Sequence, residues 1–314
     1  MKYFRTFPWG LQLILFLLMS FTMSSFGLWC VGMLLPKFSG ATLDQVMAIG
    51  EHSPYELVKI GIVVTGVLSI MMYMVTSLVF AYLTHPDPKF YLGIRKPGKA
   101  IQPLLAVLAM LGAIPVLEGI QTLVSMLPFS ADAKAAQDAS KGMTNAFLNI
   151  ATFPDFIRTF IVMAIVPGIG EELFFRSILM RFAARTSRSI LFAIVFSAVI
   201  FAAAHTNLFG MLSIFLAGSL LAVIYYYTGS ILCSMLAHIS FNGTQVVLSY
   251  LAHTSASVGK FMASDAVPLP LIAGGGVVFA VSFYLLYKSR TVLPPYWVDD
   301  FDRLPKVPEA EPQK

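Results

Sequence analysis

Charge is the scarcest commodity in this chain of 314 residues: 12% are Asp, Glu, Lys or Arg, against 57% hydrophobic. Soluble domains carry about 25% charged residues, so a soluble globular protein is excluded and a polytopic membrane protein is expected. The mean hydropathy of +0.78 agrees. Cysteine is almost missing. The two present, Cys30 and Cys233, both fall in apolar stretches, which argues against a disulfide framework. No clustered basic face accompanies the net charge of +5, which removes nucleic acid as a partner. There is no internal repeat. The first apolar run follows Lys2 and Arg5 but far exceeds the about 7–15 residues of a signal-peptide core, and no small-x-small cleavage site follows it. It is retained as a transmembrane helix.

What is present is a series of apolar segments, at about 11–35, 58–84, 101–127, 152–175, 189–206, 208–227, 230–252 and 269–287, each near the ~20 residues needed to cross a bilayer. The fourth should continue as a helix to about Ala184. The joins at 206–208 and 227–230 are short enough to make segments five to seven tight hairpins. The expected fold is all-α: about eight transmembrane helices around a buried polar catalytic cavity. Residues 1–150 hold the first three spans, 151–255 a catalytic core of spans four to seven, 256–292 the last span, and 293–314 a Pro-rich tail. Within the loop 128–151, Ser130 to Gln137 reads as a short surface helix.

Basic residues set the orientation. Eight spans with a cytoplasmic start put Lys89, Arg95, Lys96, Lys99, Arg181, Arg185, Arg188, Lys288 and Arg290 on the side of both termini. Lys37, Lys59, Lys134, Lys141, Arg158 and Lys260 fall on the other. This is the asymmetry of the positive-inside rule, and it makes both termini cytoplasmic.

Carboxylates inside spans are costly, about 2.5–3.5 kcal/mol at the bilayer centre on insertion scales, and so they mark function. Segment four contains Gly170-Glu171-Glu172-Leu173-Phe174-Phe175-Arg176. Glu172 and Arg176 are four apart and share a helix face, where the arginine can orient the carboxylate. Glu171 points about 100° away, so the two glutamates differ in role. Segment five ends in Phe201-Ala202-Ala203-Ala204-His205, and segment seven holds His238-Ile239-Ser240-Phe241-Asn242, a polar i,i+4 pair. The rise per residue sets these groups roughly 13–25 Å above the cytoplasmic helix ends, close enough to share one cavity. Phe201 taken alone reads as packing, and Glu118, near Pro115, as a structural or access-path residue.

A carboxylate and an imidazole can share a water and take its proton, while a second imidazole and an amide donate to a developing oxyanion. That is hydrolase chemistry, with a peptide bond as the obvious target in a membrane. Other intramembrane proteases are excluded by residue type. The chain has no Gly-x-Ser-Gly nucleophile and no His-Glu-x-x-His zinc helix, every Asp is assigned to a predicted loop, and neither cysteine has a nearby base.

Glu171-Glu172-x-x-x-Arg176, Phe201-x-x-x-His205 and His238-x-x-x-Asn242, in that order on separate spans, resemble the three motifs of the CAAX-processing and bacteriocin-processing (CPBP, or Abi) family of intramembrane endopeptidases. Leu173-Phe174-Phe175-Arg176-Ser177 suits the first motif, with Ser177 in place of the usual glycine. The resemblance covers about 150–255. It implies Glu171 as general base with His205 helping to hold the water, Glu172 as a second carboxylate oriented by Arg176, and His238 and Asn242 as oxyanion donors. The family has been described both as metalloproteases and as metal-independent glutamate peptidases, and one Glu with two His could be a zinc set with an open water position. The implied substrate is a membrane-associated or lipid-modified protein or peptide, and the setting that of a bacterial inner-membrane protein. A non-catalytic scaffold or bacteriocin-immunity protein is the competing expectation. A transporter would show inverted repeats or paired broken helices, which are missing.

Overall fold

The computed structural model describes residues 3–205, 207–264, 267–293 and 297. It is all-helical, with 80% helix and no strand among the described residues. Ten helices carry the architecture: α1 Trp9–Ser39, α2 Tyr55–Thr84, α3 Gln102–Ser125, α4 Ala131–Leu148, α5 Phe153–Ser187, α6 Ile190–Ala204, α7 Met211–Thr228, α8 Ile231–Thr254, α9 Ala256–Met262 and α10 Leu269–Lys288. Single helical turns at Leu43–Met47 and Pro88–Tyr91 sit in the joins after α1 and α2.

Among the described residues, seven helices (α1, α2, α3, α5, α7, α8 and α10) are long and apolar enough to cross a membrane. The other expected span, α6, is apolar but only 15 residues long. Large apolar side chains on the outside of the bundle are exposed, including Phe21, Trp29, Leu191 and Val277, as a lipid-facing surface requires. The expected loop helix is α4, capped by the Ser130 hydroxyl, which accepts from the Ala133 N–H at 3.2 Å. Apart from Leu293 and Trp297, the Pro-rich tail lies outside the described residues.

Helix α5 departs from the regular spacing assumed in reading the sequence. Two stretches, Ile161–Ile165 and Glu172–Leu179, are wound with i→i+5 hydrogen bonds, and Pro167, which has no N–H to donate, falls between them. α2 has a similar wide turn at Ile70–Val75. Wide turns of this kind recur at functional sites. A second correction concerns Asp155, which was assigned to a loop. It lies in the first turn of α5, where it caps the helix with Thr152, pairs with Arg158 at 2.6 Å and accepts from the Tyr55 hydroxyl. Its role there is to fasten the start of α5 to the start of α2.

With no hydrophobic driving force between helices in lipid, close approach and buried hydroxyls hold the bundle together. α3 and α10 meet at Gly112, where a Cβ would lie 2.5 Å from the Phe279 amide nitrogen and 2.8 Å from the Gly275 carbonyl oxygen. Ser197 on α6 donates to Phe175 O on α5 at 3.0 Å, and Ser213 on α7 donates to Leu117 O on α3 at 2.8 Å.

The end of the bundle that carries the N-terminus is tied shut. After α7, Gly229 turns the chain with φ of 62°. Arg95 Nε donates to Gly229 O at 2.5 Å, Ser230 Oγ donates to Arg95 O at 2.5 Å, and Ile231 N donates to Gly93 O at 3.1 Å. The chain following α10 joins them: Thr291 N donates to Tyr227 O at 2.7 Å, and Gln102 Nε2 to Ser289 O at 2.9 Å. Ser177 Oγ reaches Leu92 O at 2.6 Å and fixes α5 to the same cap.

Candidate active site

The polar residues of α5, α6 and α8 face one another at mid-bundle. Glu172 is fully buried (0% exposed), as is Arg176. Arg176 Nη1 lies 3.0 Å from Glu172 Oε1, an ion pair without a well-aligned hydrogen bond. The wide turn does not separate them, because at 4.4 residues per turn position i+4 still lies on nearly the same face. Arg176 Nη2 donates to Gly218 O on α7 at 3.1 Å, and its guanidinium carbon sits 4.3 Å from the centre of the Phe201 ring. Hydrogen bonds, a ring face and an opposite charge together offset the desolvation of the arginine.

Glu172 also binds α8. His238 Nδ1 is 2.9 Å from Glu172 Oε1, and Ser234 Oγ is 2.5 Å from Oε2. The carboxylate can only accept, so the His238 Nδ1–H donates and the ring is held with Nε2 pointing away. Nε2 faces Glu171, with Oε2 at 3.9 Å. That Glu171 oxygen is buried and has no hydrogen-bond partner. Glu171 as a whole is 8% exposed and His238 3%. The carboxylates thus occupy distinct positions, as adjacent residues on a helix must. Glu172 is saturated with donors, whereas Glu171 keeps an unused oxygen beside the imidazole.

His205 sits at the end of α6. Its Nδ1 is 2.8 Å from Phe201 O, one turn back on its own helix, and its ring is 4.6 Å from the Phe201 ring. Phe201 lies edge-on to His238 at 5.9 Å, so the ring first read as packing is the wall between Arg176 and both histidines. A cavity of about 970 Å³ opens in front of these groups, lined by Phe201, His205, His238 and Asn242 and, further out, by Glu118 and Gln121 of α3. Glu171 and Glu172 are not among its lining residues; His238, in contact with both, is the member of the cluster that reaches it.

The geometry therefore gathers Glu171, Glu172, Arg176 and His238 in direct contact, and sets His205 and Asn242 around the adjoining cavity. Ser234 and Gly218 belong to the cluster and were not picked out from the sequence. Ser234 carries a signal, since it lies four residues before His238 on the same face of α8. Gly218 acts through a backbone carbonyl and carries none. Among the described residues no three His, Cys, Asp or Glu side chains gather as metal ligands. His238 Nδ1 is committed to Glu172 and His205 Nδ1 to Phe201 O, which leaves the Nε2 atom of each ring for any further partner.

No curated protein and no solved structure matches the chain. A family model does: that of the Rce1-like, type II CAAX prenyl endopeptidases, over residues 153–244. The matched segment runs from the first turn of α5 to Thr244 on α8, and contains every motif residue described above. Over this segment, somewhat less than a third of its length, the chain is similar to the type II CAAX prenyl endopeptidases.

Proposed function

We propose that the protein is an intramembrane endopeptidase that hydrolyses a peptide bond in a membrane-associated or lipid-modified protein, using a water activated by Glu171 and His238. The observation that carries this reading is the free, buried Glu171 Oε2 lying 3.9 Å from His238 Nε2. The separation is too long for a direct hydrogen bond and suits a single water donating one proton to each acceptor. Glu171 takes a proton as the water oxygen attacks the carbonyl carbon. The Asn242 amide, at the cavity wall, donates to the resulting oxyanion, while the His205 ring, whose Nδ1–H is given to Phe201 O, lines the cavity beside it. Collapse breaks the C–N bond, and Glu171 returns the proton to the leaving nitrogen.

This division of labour differs from the one the family resemblance implies. There His205 held the water and His238 the oxyanion. The hydrogen bond from His238 Nδ1 to Glu172 favours giving the water to His238, because it turns Nε2 toward Glu171. Glu172 and Arg176 are positioning residues. They act through His238, much as a buried carboxylate holds the imidazole in a hydrolase triad.

The test is cleavage of a quenched-fluorescent farnesylated Cys-a-a-X peptide and of a mixed peptide library by the protein in detergent, against Glu171→Gln and His238→Ala, with and without a strong chelator. Expected are cleavage by the wild type, loss of about 10²–10⁴-fold in each variant, the usual scale of general acid–base catalysis, and no effect of the chelator. A Glu171→Gln protein as active as the wild type would sink the reading and leave a non-catalytic scaffold. Abolition by the chelator would move the water onto a metal.

A further inference from the structure

The two faces of the bundle differ in charge and in closure, and the differences coincide. One face carries Arg95, Lys96 and Lys99 after α2, Arg185 in the last turn of α5 and Arg188 just after it, and Lys288 and Arg290 at the end of α10. The same face is sealed by the hydrogen bonds that knit Gly93, Arg95, Gly229, Ser230 and Thr291 into one cap. The cavity in front of His238 runs the other way. Its outer lining comes only from segments on the opposite face: Glu51 in the join before α2, Lys141 and Asn145 on α4, Asn207 after α6, and Met262 on α9. Helix topology makes this unambiguous, since those joins all follow α1, α3, α6 or α8 and lie opposite the N-terminus.

Basic residues concentrate on the cytoplasmic side of membrane proteins. Taken with the cap, this gives the cavity a direction. We infer that the site is reached from the non-cytoplasmic face, and that its substrate is a peptide segment presented there, one that has been translocated across the membrane. This rests on the endopeptidase reading for the word substrate, but not for the direction of access. The lining also bears on chemistry. Glu118, Gln121, Asn145 and Asn207 place carbonyl, amide and carboxylate groups along the route from the mouth to His238. Such groups can pair with the N–H and C=O of an extended peptide, while Leu117, Leu148, Ile214 and Phe241 supply apolar wall for its side chains.

Thiol accessibility decides the direction without any turnover. In a Cys30→Ser, Cys233→Ala background, single cysteines are placed at the mouth (Lys141→Cys), within the cavity (Gln121→Cys) and on the basic face (Lys96→Cys). Each is treated with a membrane-impermeant maleimide in intact spheroplasts and in inverted vesicles. Expected is labelling of Lys141→Cys and Gln121→Cys in spheroplasts and loss of that labelling in inverted vesicles, with Lys96→Cys giving the reverse. Should Lys141→Cys fail to accumulate, Asn145→Cys, one turn along α4, reports the same mouth. Labelling of the mouth or cavity positions only in inverted vesicles overturns the inference.

A water-soluble peptide is then added to one side of each preparation of the wild type. Cleavage from the cavity side supports the route, and cleavage only from the basic side overturns it. If neither side gives cleavage while the labelling pattern holds, the peptidase reading fails and the outward cavity stands.

Discussion

Glu172 receives three partners at once, Arg176, His238 and Ser234, in a place with no solvent to substitute for any of them. Truncating it leaves the Arg176 guanidinium buried and uncompensated, a loss on the order of 3–5 kcal/mol. Glu172→Ala should therefore unfold at a clearly lower temperature in detergent than Glu171→Gln, whose wild-type oxygen has no partner to lose. Melting of both variants at the wild-type temperature would show that the ion pair does not hold the core. Ser234→Ala removes one donor to the same carboxylate and costs about 1–3 kcal/mol. If Ser234 positions the imidazole through Glu172, kcat should fall while KM stays put. A rise in KM alone would instead assign it to substrate binding.

These contacts were partly legible in the sequence. The pairing of Glu172 with Arg176 followed from spacing, and its tolerance of a wide turn explains why the expectation survived a change of helix type. The partner of Glu171 was not legible. Whether His205 or His238 stands opposite it depends on the rotation of α6 and α8 about their own axes, and every face of those helices is apolar enough to leave that rotation open. Phe201 was undervalued for a similar reason, because an aromatic ring gives the same signal whether it packs on leucine or on a guanidinium.

Among the elements, α3 and α10 make the closest approach, backbone against backbone at Gly112 and Gly275. Gly112→Leu has nowhere to put its side chain except by parting the helices, a cost of roughly 1–3 kcal/mol for overpacking. The variant should show a lowered melting temperature in detergent, and unchanged melting would mean that α10 is free to move off α3. This pair could not be foreseen, since small residues recur in most of the spans. The existence of the helices could be, because long apolar runs leave the backbone no alternative in lipid. The wide turns in α2 and α5 were invisible, as i→i+4 and i→i+5 bonding draw on the same apolar composition. Only Pro167 hinted at an interruption.

For the molecule as a whole, each of the eight apolar segments is a helix, but seven are long and apolar enough to cross and α6 is not their equal. At 1.5 Å per residue its 15 residues extend about 22 Å, against about 30 Å for a typical hydrocarbon layer. One flank of α6 is lipid-exposed, with Leu191 at 69% and Val199 at 49%, so the shortfall is met by the bilayer and not hidden in the protein. Acyl chains must compress beside this helix, and mismatch of this sort costs fractions of a kcal/mol per Å. His205 closes the short helix, so a bilayer thinned there would bring the interface toward the depth of the proposed site. The consequence is a dependence of the proposed chemistry on lipid thickness. Reconstituted into phosphatidylcholines of increasing chain length, it should hydrolyse peptide fastest in the thinner bilayers and progressively more slowly in thicker ones, while a rate indifferent to thickness would mean that neighbouring helices shield the gap.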